Sequence, residues 1–159
     1  MLARLHPALL LALALAAPTG AAARSPLATP LPTRGTVLLG GRLALRVEVA
    51  LTEEEKARGL SGRTGLSPGA GMLFIYAEAG FRSMWMLGMR FPLDFLWIRD
   101  GRIVDLFEDI PPPREGESPV SVTSPEPAQY ILELPAGSIR AYRLRRGDAA
   151  EVRLNQKSP

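Results

Sequence analysis

The sequence predicts an all-β domain, a compact β-sandwich or barrel-like fold with one short helical insertion. Three observations carry that expectation. Leu43, Leu45, Val47, Val49 and Leu51 alternate with Ala44, Arg46, Glu48 and Ala50, the period-two pattern of a strand with one buried face. Gly40-Gly41 and Asp100-Gly101 are short hairpin signals, because both central residues of the favoured turns need positive φ. Helical signals are confined to one place, Thr52-Glu53-Glu54-Glu55. There a threonine and a glutamate three residues later can cap each other's backbone and open a short helix.

The elements follow in order. Residues 1–23 read as a cleaved secretory signal: Arg4 and His6, then an apolar run from Ala8 to Ala17, then Ala21-Ala22-Ala23 as a cleavage site near Ala23. That run rises about 15 Å as a helix, half of a hydrocarbon core about 30 Å thick, so no integral membrane segment is expected after cleavage. Residues 24–35, with three prolines and no periodicity, read as a flexible tether. A single domain is expected over 36–155, with 156–159 as a tail. Val37 to Leu39 should pair with the Leu43 strand through a two-residue turn, and Gly59 should close the helix. Met72 to Tyr76, Leu93 to Ile98, Arg102 to Phe107, Tyr130 to Leu134 and Val152 to Leu154 read as further strands, and Ile139 to Leu144 as a helical turn or two. The segment from Pro111 to Pro127, rich in Pro, Glu and Ser, reads as a long loop able to act as a flap.

Composition removes much chemistry. The chain has no cysteine and one histidine, His6, which falls in the expected leader. Thiol nucleophiles, Ser-His and Cys-His pairs, ordinary zinc sites and haem-ligating histidines are therefore excluded from the mature protein. Disulfides are excluded too, so an exported domain must stand on its core. The 19 Lys and Arg against 16 Asp and Glu give only a small excess. The one dense basic run, Arg140, Arg143, Arg145 and Arg146, sits beside Asp148 and Glu151. Nucleic-acid binding needs a one-sided basic field, so no nucleic-acid partner is expected.

Five segments in register carry a resemblance: Arg58-Gly59-Leu60 with Arg63, Gly71-Met72-Leu73-Phe74, Trp85-Met86, Pro92-Leu93-Asp94, and Leu132 to Gly137. From about Val47 to Leu154 the chain resembles the domain-of-unknown-function family 192. The resemblance implies a compact β-sandwich, often exported, with no established activity. It also exposes a departure. After Trp-Met the family commonly carries a Lys-Asn-Thr-like triplet, where this chain has Leu87, Gly88 and Met89.

Two groups of residues could carry function. Asp94 and Glu133 sit within apolar strands, where a carboxylate must find a cation or rise in pKa, and Arg58 and Arg63 are natural bidentate partners. The four form either a structural network or, if the carboxylates share a cleft, an acid/base pair acting on a glycan. Met84, Met86 and Met89, with Trp85 between, either fill the core or offer soft thioethers to Cu(I). No other cofactor is expected. The leading expectation is an exported, periplasmic or extracellular, non-enzymatic binding or accessory module of the cell envelope. Its partner would be a small molecule or an envelope component, held in a groove between the Trp85 segment and the Pro111–Pro127 loop.

Overall fold

A computed structural model describes residues 34–155; the expected leader, most of the expected tether and the expected tail over 156–159 lie outside the described residues. The elements are β1 (Arg34–Leu39), β2 (Leu43–Ala50), α1 (Glu53–Arg58), β3 (Ala70–Gly80), β4 (Ser83–Trp85), β5 (Leu93–Arg99), β6 (Arg102–Ile110), β7 (Ser121–Thr123), β8 (Ala128–Pro135), α2 (Ser138–Tyr142) and β9 (Ala150–Leu154). The all-β expectation holds. Seven strands form one sheet in the order β6-β5-β8-β3-β2-β1-β9, and β4 pairs with β7 in a separate ribbon.

Within the sheet only β2 and β3 run parallel. Parallel neighbours cannot be joined by a tight turn, which is why α1 and its following loop lie between them. Thr52 and Glu55 form the expected capping box, with Glu55 Nα 3.1 Å from Thr52 Oγ1 and Glu55 Oε2 accepting from Leu51 and Thr52. The sheet curls until its two edges meet: Arg102 bridges Ala149, and the Ala150 amide donates to the Gly101 carbonyl at 2.7 Å.

Side-chain alternation then gives two cores. The inner one gathers Val37, Leu45, Leu73, Leu96 and Leu132 with Ile103 of β6 and Ala150 of β9. Because both edge strands contribute, this cluster lies inside the curl, and Ile139 of α2 and Leu144 plug it. The outer one gathers Phe74, Phe95, Trp97 and Ile131 from the other face of the same strands. Met84 and Val122 of the ribbon, with Met86 just beyond β4, cover it. Trp97 is sealed there, its indole N–H donating to the Arg82 carbonyl at 3.2 Å and its ring 5.2 Å from that of Phe107. Burial on both faces explains why β5 is apolar almost throughout.

Three local expectations need correction. The β1–β2 loop is Gly40-Gly41-Arg42, one residue longer than a two-residue turn, because Leu39 pairs with Leu43. The tether ends earlier than expected: Arg34 and Gly35 already pair with Glu48 and Val47 of β2. The Pro111–Pro127 segment is not all loop, since β7 lies within it. Asp100-Gly101 does turn β5 into β6, with φ of 52° and 71°. Among the described residues, no helix is long and apolar enough to cross a membrane.

Candidate functional site

The two buried carboxylates do not meet. In the β5–β8 ladder Asp94 faces Leu134 and Phe95 faces Glu133. Residues directly opposite share a face and neighbours along a strand do not. Asp94 therefore points into the inner core and Glu133 into the outer one, with the sheet between them. A shared acid/base cleft is ruled out by that register.

Asp94 is fully buried and fully engaged. Its Oδ1 accepts from the Asp109 amide at 2.8 Å and its Oδ2 from the Ile139 amide at 2.7 Å. The N-cap of α2 is Gly137, which has no side chain to cap the helix, so a carboxylate from β5 does so across the fold. The same group fixes the end of β6, where Asp109 takes a φ of 53° and its own carboxylate meets Arg140 at 2.5 Å. Asp94 is a clamp between three elements.

Neither arginine reaches these carboxylates. Arg58 pairs with Glu54 one helical turn away at 2.8 Å, and both are exposed. Arg63 forms a bidentate pair with Glu48 of β2, at 2.6 and 2.8 Å, and these hydrogen bonds hold the Glu48 carboxyl below its ordinary range. The expected four-residue network therefore does not assemble, although the Arg63 charge is felt at Glu133.

Glu133 is the unusual member. It is 4% exposed, its Oε2 has no hydrogen-bond partner, and burial pushes its pKa up to about 8 against the pull of Arg63. At neutral pH it is largely a protonated acid in an apolar wall. It lines a small recess with Gly59, Phe74, Met84, Leu87 and Met89, while Trp85 stands at the rim. Gly59 has a φ of 46°, and an added Cβ would lie 3.2 Å from the Phe74 ring, so only glycine lets the helix end this close to β3. The recess runs into a wider space of about 220 Å³ between α1 and β4, floored by Phe74 and Tyr76.

The triplet departure falls on this recess. Leu87 and Met89 line it. Gly88 has a φ of 70°, and a Cβ there would sit 2.1 Å from Ser61 Oγ, while its carbonyl accepts from the Gly62 amide at 2.9 Å. The loop after the Trp-Met pair thus packs backbone against the α1–β3 turn, and the side chains facing Glu133 are apolar or thioether.

Met84, Met86 and Met89 are all buried in the outer core; Met84 and Met89 reach the recess and Met86 does not. The expected groove between the Trp85 segment and the Pro111–Pro127 loop does not exist, because β7 closes it. Ser83 and Thr123 hydroxyls lie 2.7 Å apart, Ser121 donates to the Met84 carbonyl, and the Met86 amide donates to Val120. The groove lies on the other side of β4, against α1. Sequence reasoning missed two further features. Tyr76 is flanked by Lys56 and Arg82, 4.5 and 4.2 Å from its ring centroid. Buried Asp105 pairs with Arg146, and its alternation with Ile103 was the available signal.

The profile of the family DUF192, described as an uncharacterised ACR, matches residues 36–152. No curated protein matches the chain. Two solved structures are similar. One, from Sinorhizobium meliloti 1021, carries a provisional description as a transcription regulator; it is 32% identical, with a TM-score of 0.68 over 76% of this chain and 95% of that one. The other, a protein of unknown function from Novosphingobium aromaticivorans DSM 12444, is 28% identical, with a TM-score of 0.65 over 81% and 94%.

Proposed function

The chain belongs to DUF192, an uncharacterised family, and from its own geometry we propose that it is an exported, non-enzymatic binding module of the cell envelope that takes a small ligand in the groove between α1 and β4. The observation that carries this reading is Glu133. A buried polar atom without a partner costs about 1–3 kcal/mol, and Oε2 meets that description at the inner end of a groove open to solvent. A ligand that hydrogen-bonds or neutralises it recovers that cost; the exposed Trp85 beside it supplies a flat apolar contact.

Export rests on the leader pattern of residues 1–23. The absence of an enzymatic role is supported by the separation of Asp94 from Glu133 and by a composition without His or Cys beyond the leader. A regulator's DNA contact, suggested by the description of the Sinorhizobium neighbour, has little support: Arg140 and Arg146 of the one dense basic run are committed to Asp109 and Asp105.

Native mass spectrometry of the protein isolated from the envelope of cells that make it tests the reading. The expected spectrum shows the mass from Arg24 onward plus a non-covalent adduct that the Glu133→Gln variant lacks. A full-length mass confined to the cytosol overturns export. An adduct equally retained by Glu133→Gln overturns the site, and turnover of an envelope substrate overturns the non-enzymatic role.

A further inference from the structure

The inner end of the groove is far smaller than the rest. Its interior is about 20 Å³, room for one water-sized body or the tip of a ligand seated in the wider groove. Three side chains with lone-pair ligand atoms line it from three elements, Met84 of β4, Met89 of the following loop and Glu133 of β8; Lys56 and Arg58 of α1 line it too, each paired with a glutamate of its own helix. We propose that this inner end is a single-ion site for a soft monovalent cation, Cu(I) or Ag(I), held by the thioethers of Met84 and Met89 and a carboxylate oxygen of Glu133. The proposal rests on reading the groove as a binding site and names the occupant of its deepest point.

Donor chemistry selects the ion. Thioethers are soft, uncharged ligands that suit Cu(I) and are poor partners for Ca²⁺ or Mg²⁺. Among the described residues, no three His, Cys, Asp or Glu side chains gather as a metal site would require, so a hard or borderline divalent ion finds too few ligands here. Charge selects the valence. One ionised carboxylate balances one positive charge, whereas a divalent ion would leave a net charge buried against Phe74 and Leu60, close enough to Arg63 to feel it.

Water is the competing occupant, and it is poorly served. An internal water makes about three hydrogen bonds. Around this point the heads of Lys56 and Arg58 pair with Glu53 at 2.9 Å and Glu54 at 2.8 Å, which leaves Glu133, two weak sulfur acceptors and the indole of Trp85 at the rim among the side chains. The ion keeps its oxidation state on binding, and a proton held by the Glu133 carboxyl leaves to solvent as the metal–oxygen bond forms.

The test is a titration of the processed protein, from Arg24 onward, with Ag(I), which is redox-inert, in nitrate buffer near pH 7. Binding is read by native mass spectrometry and by Trp fluorescence. The expected result is one Ag(I) per chain and at least tenfold weaker binding in both Met84→Leu/Met89→Leu and Glu133→Gln, with circular dichroism unchanged. Absent binding, or affinity unaltered in the methionine pair, overturns the proposal. If Ag(I) fails to bind while the envelope adduct still depends on Glu133, the ion assignment falls and the binding-module reading stands. Loss of both removes the site altogether.

Discussion

The stability of a Glu133→Gln variant relative to the parent protein should rise as pH rises. In the folded chain the carboxyl titrates at about 8, and on unfolding it returns to 4.5. Between those values the unfolded chain releases this proton and the folded chain keeps it. The stability contributed by the neutral acid is therefore fully present below pH 4.5 and is lost as pH rises through 8. At 1.36 kcal/mol per pKa unit, a gap of about 3.5 corresponds to about 5 kcal/mol. Glutamine has the same shape and no charge at any pH, so whatever its amide costs in that wall is constant and drops out of the pH dependence. The Arg63–Glu48 pair and every other titrating group are present in both proteins and cancel. Urea unfolding of both at pH 4.5, 6, 7.5 and 9 gives the comparison. The difference should shift in the variant's favour by several kcal/mol from the acid to the alkaline end. A difference that stays constant across the range refutes the claim that Glu133 is buried and neutral.

Three further changes separate structure from site. Asp94→Ala strands the amides of Asp109 and Ile139, at about 1–3 kcal/mol each; a loss of about 4 kcal/mol is expected, with faster hydrogen exchange at both amides, and a thermal midpoint lowered by only a degree or so contradicts the clamp. Arg63→Met breaks an exposed pair worth less than about 1 kcal/mol, but it should raise the pKa of both Glu48 and Glu133; carbon-13 carboxyl titration reads both, and an unmoved Glu48 contradicts the bidentate pairing. Leu87→Lys brings an ammonium to the edge of the recess and should draw the Glu133 pKa down from about 8, flattening the pH dependence of stability; an unchanged profile means that position 87 does not reach Glu133.

Local patterns in the sequence carried most of the fold. The alternation of β2, the Asp100-Gly101 turn and the capping box each depend on residues within a few positions of one another, and each formed as read. What was illegible depended on register between distant segments. Asp94 and Glu133 look equivalent in sequence, two acids in two apolar strands, yet the β5–β8 ladder offsets them by one residue and so sends them to opposite faces. Arg63 sits close to α1 in sequence but finds Glu48 on β2, because the parallel β2–β3 pairing carries the turn after α1 back past that strand. The ribbon was hidden for the same reason. Its strands are three residues each, too short to show a period, and they pair across about forty residues of chain.

That difference in legibility follows a physical division within the molecule. The inner core is enclosed by seven hydrogen-bonded strands, and its one fully buried acid on β5, Asp94, spends both oxygens on backbone amides that fix the ends of β6 and α2. A change there removes the partner of the buried Ile139 amide and of the part-buried Asp109 amide. The outer core is covered by a two-stranded ribbon, a six-residue helix with no buried residue of its own, and the loop through Leu87, Gly88 and Met89. Its buried acid, Glu133, leaves an oxygen unpaired. Substitutions in the covering loop therefore alter what faces Glu133 while leaving the ladders of the curled sheet intact, so the triplet can depart from the family pattern without loss of the fold. By the same reasoning, the chemistry that distinguishes this chain should be sought in the layer over Glu133, and variants at Met84, Leu87 and Met89 should change what binds there before they change whether the protein folds.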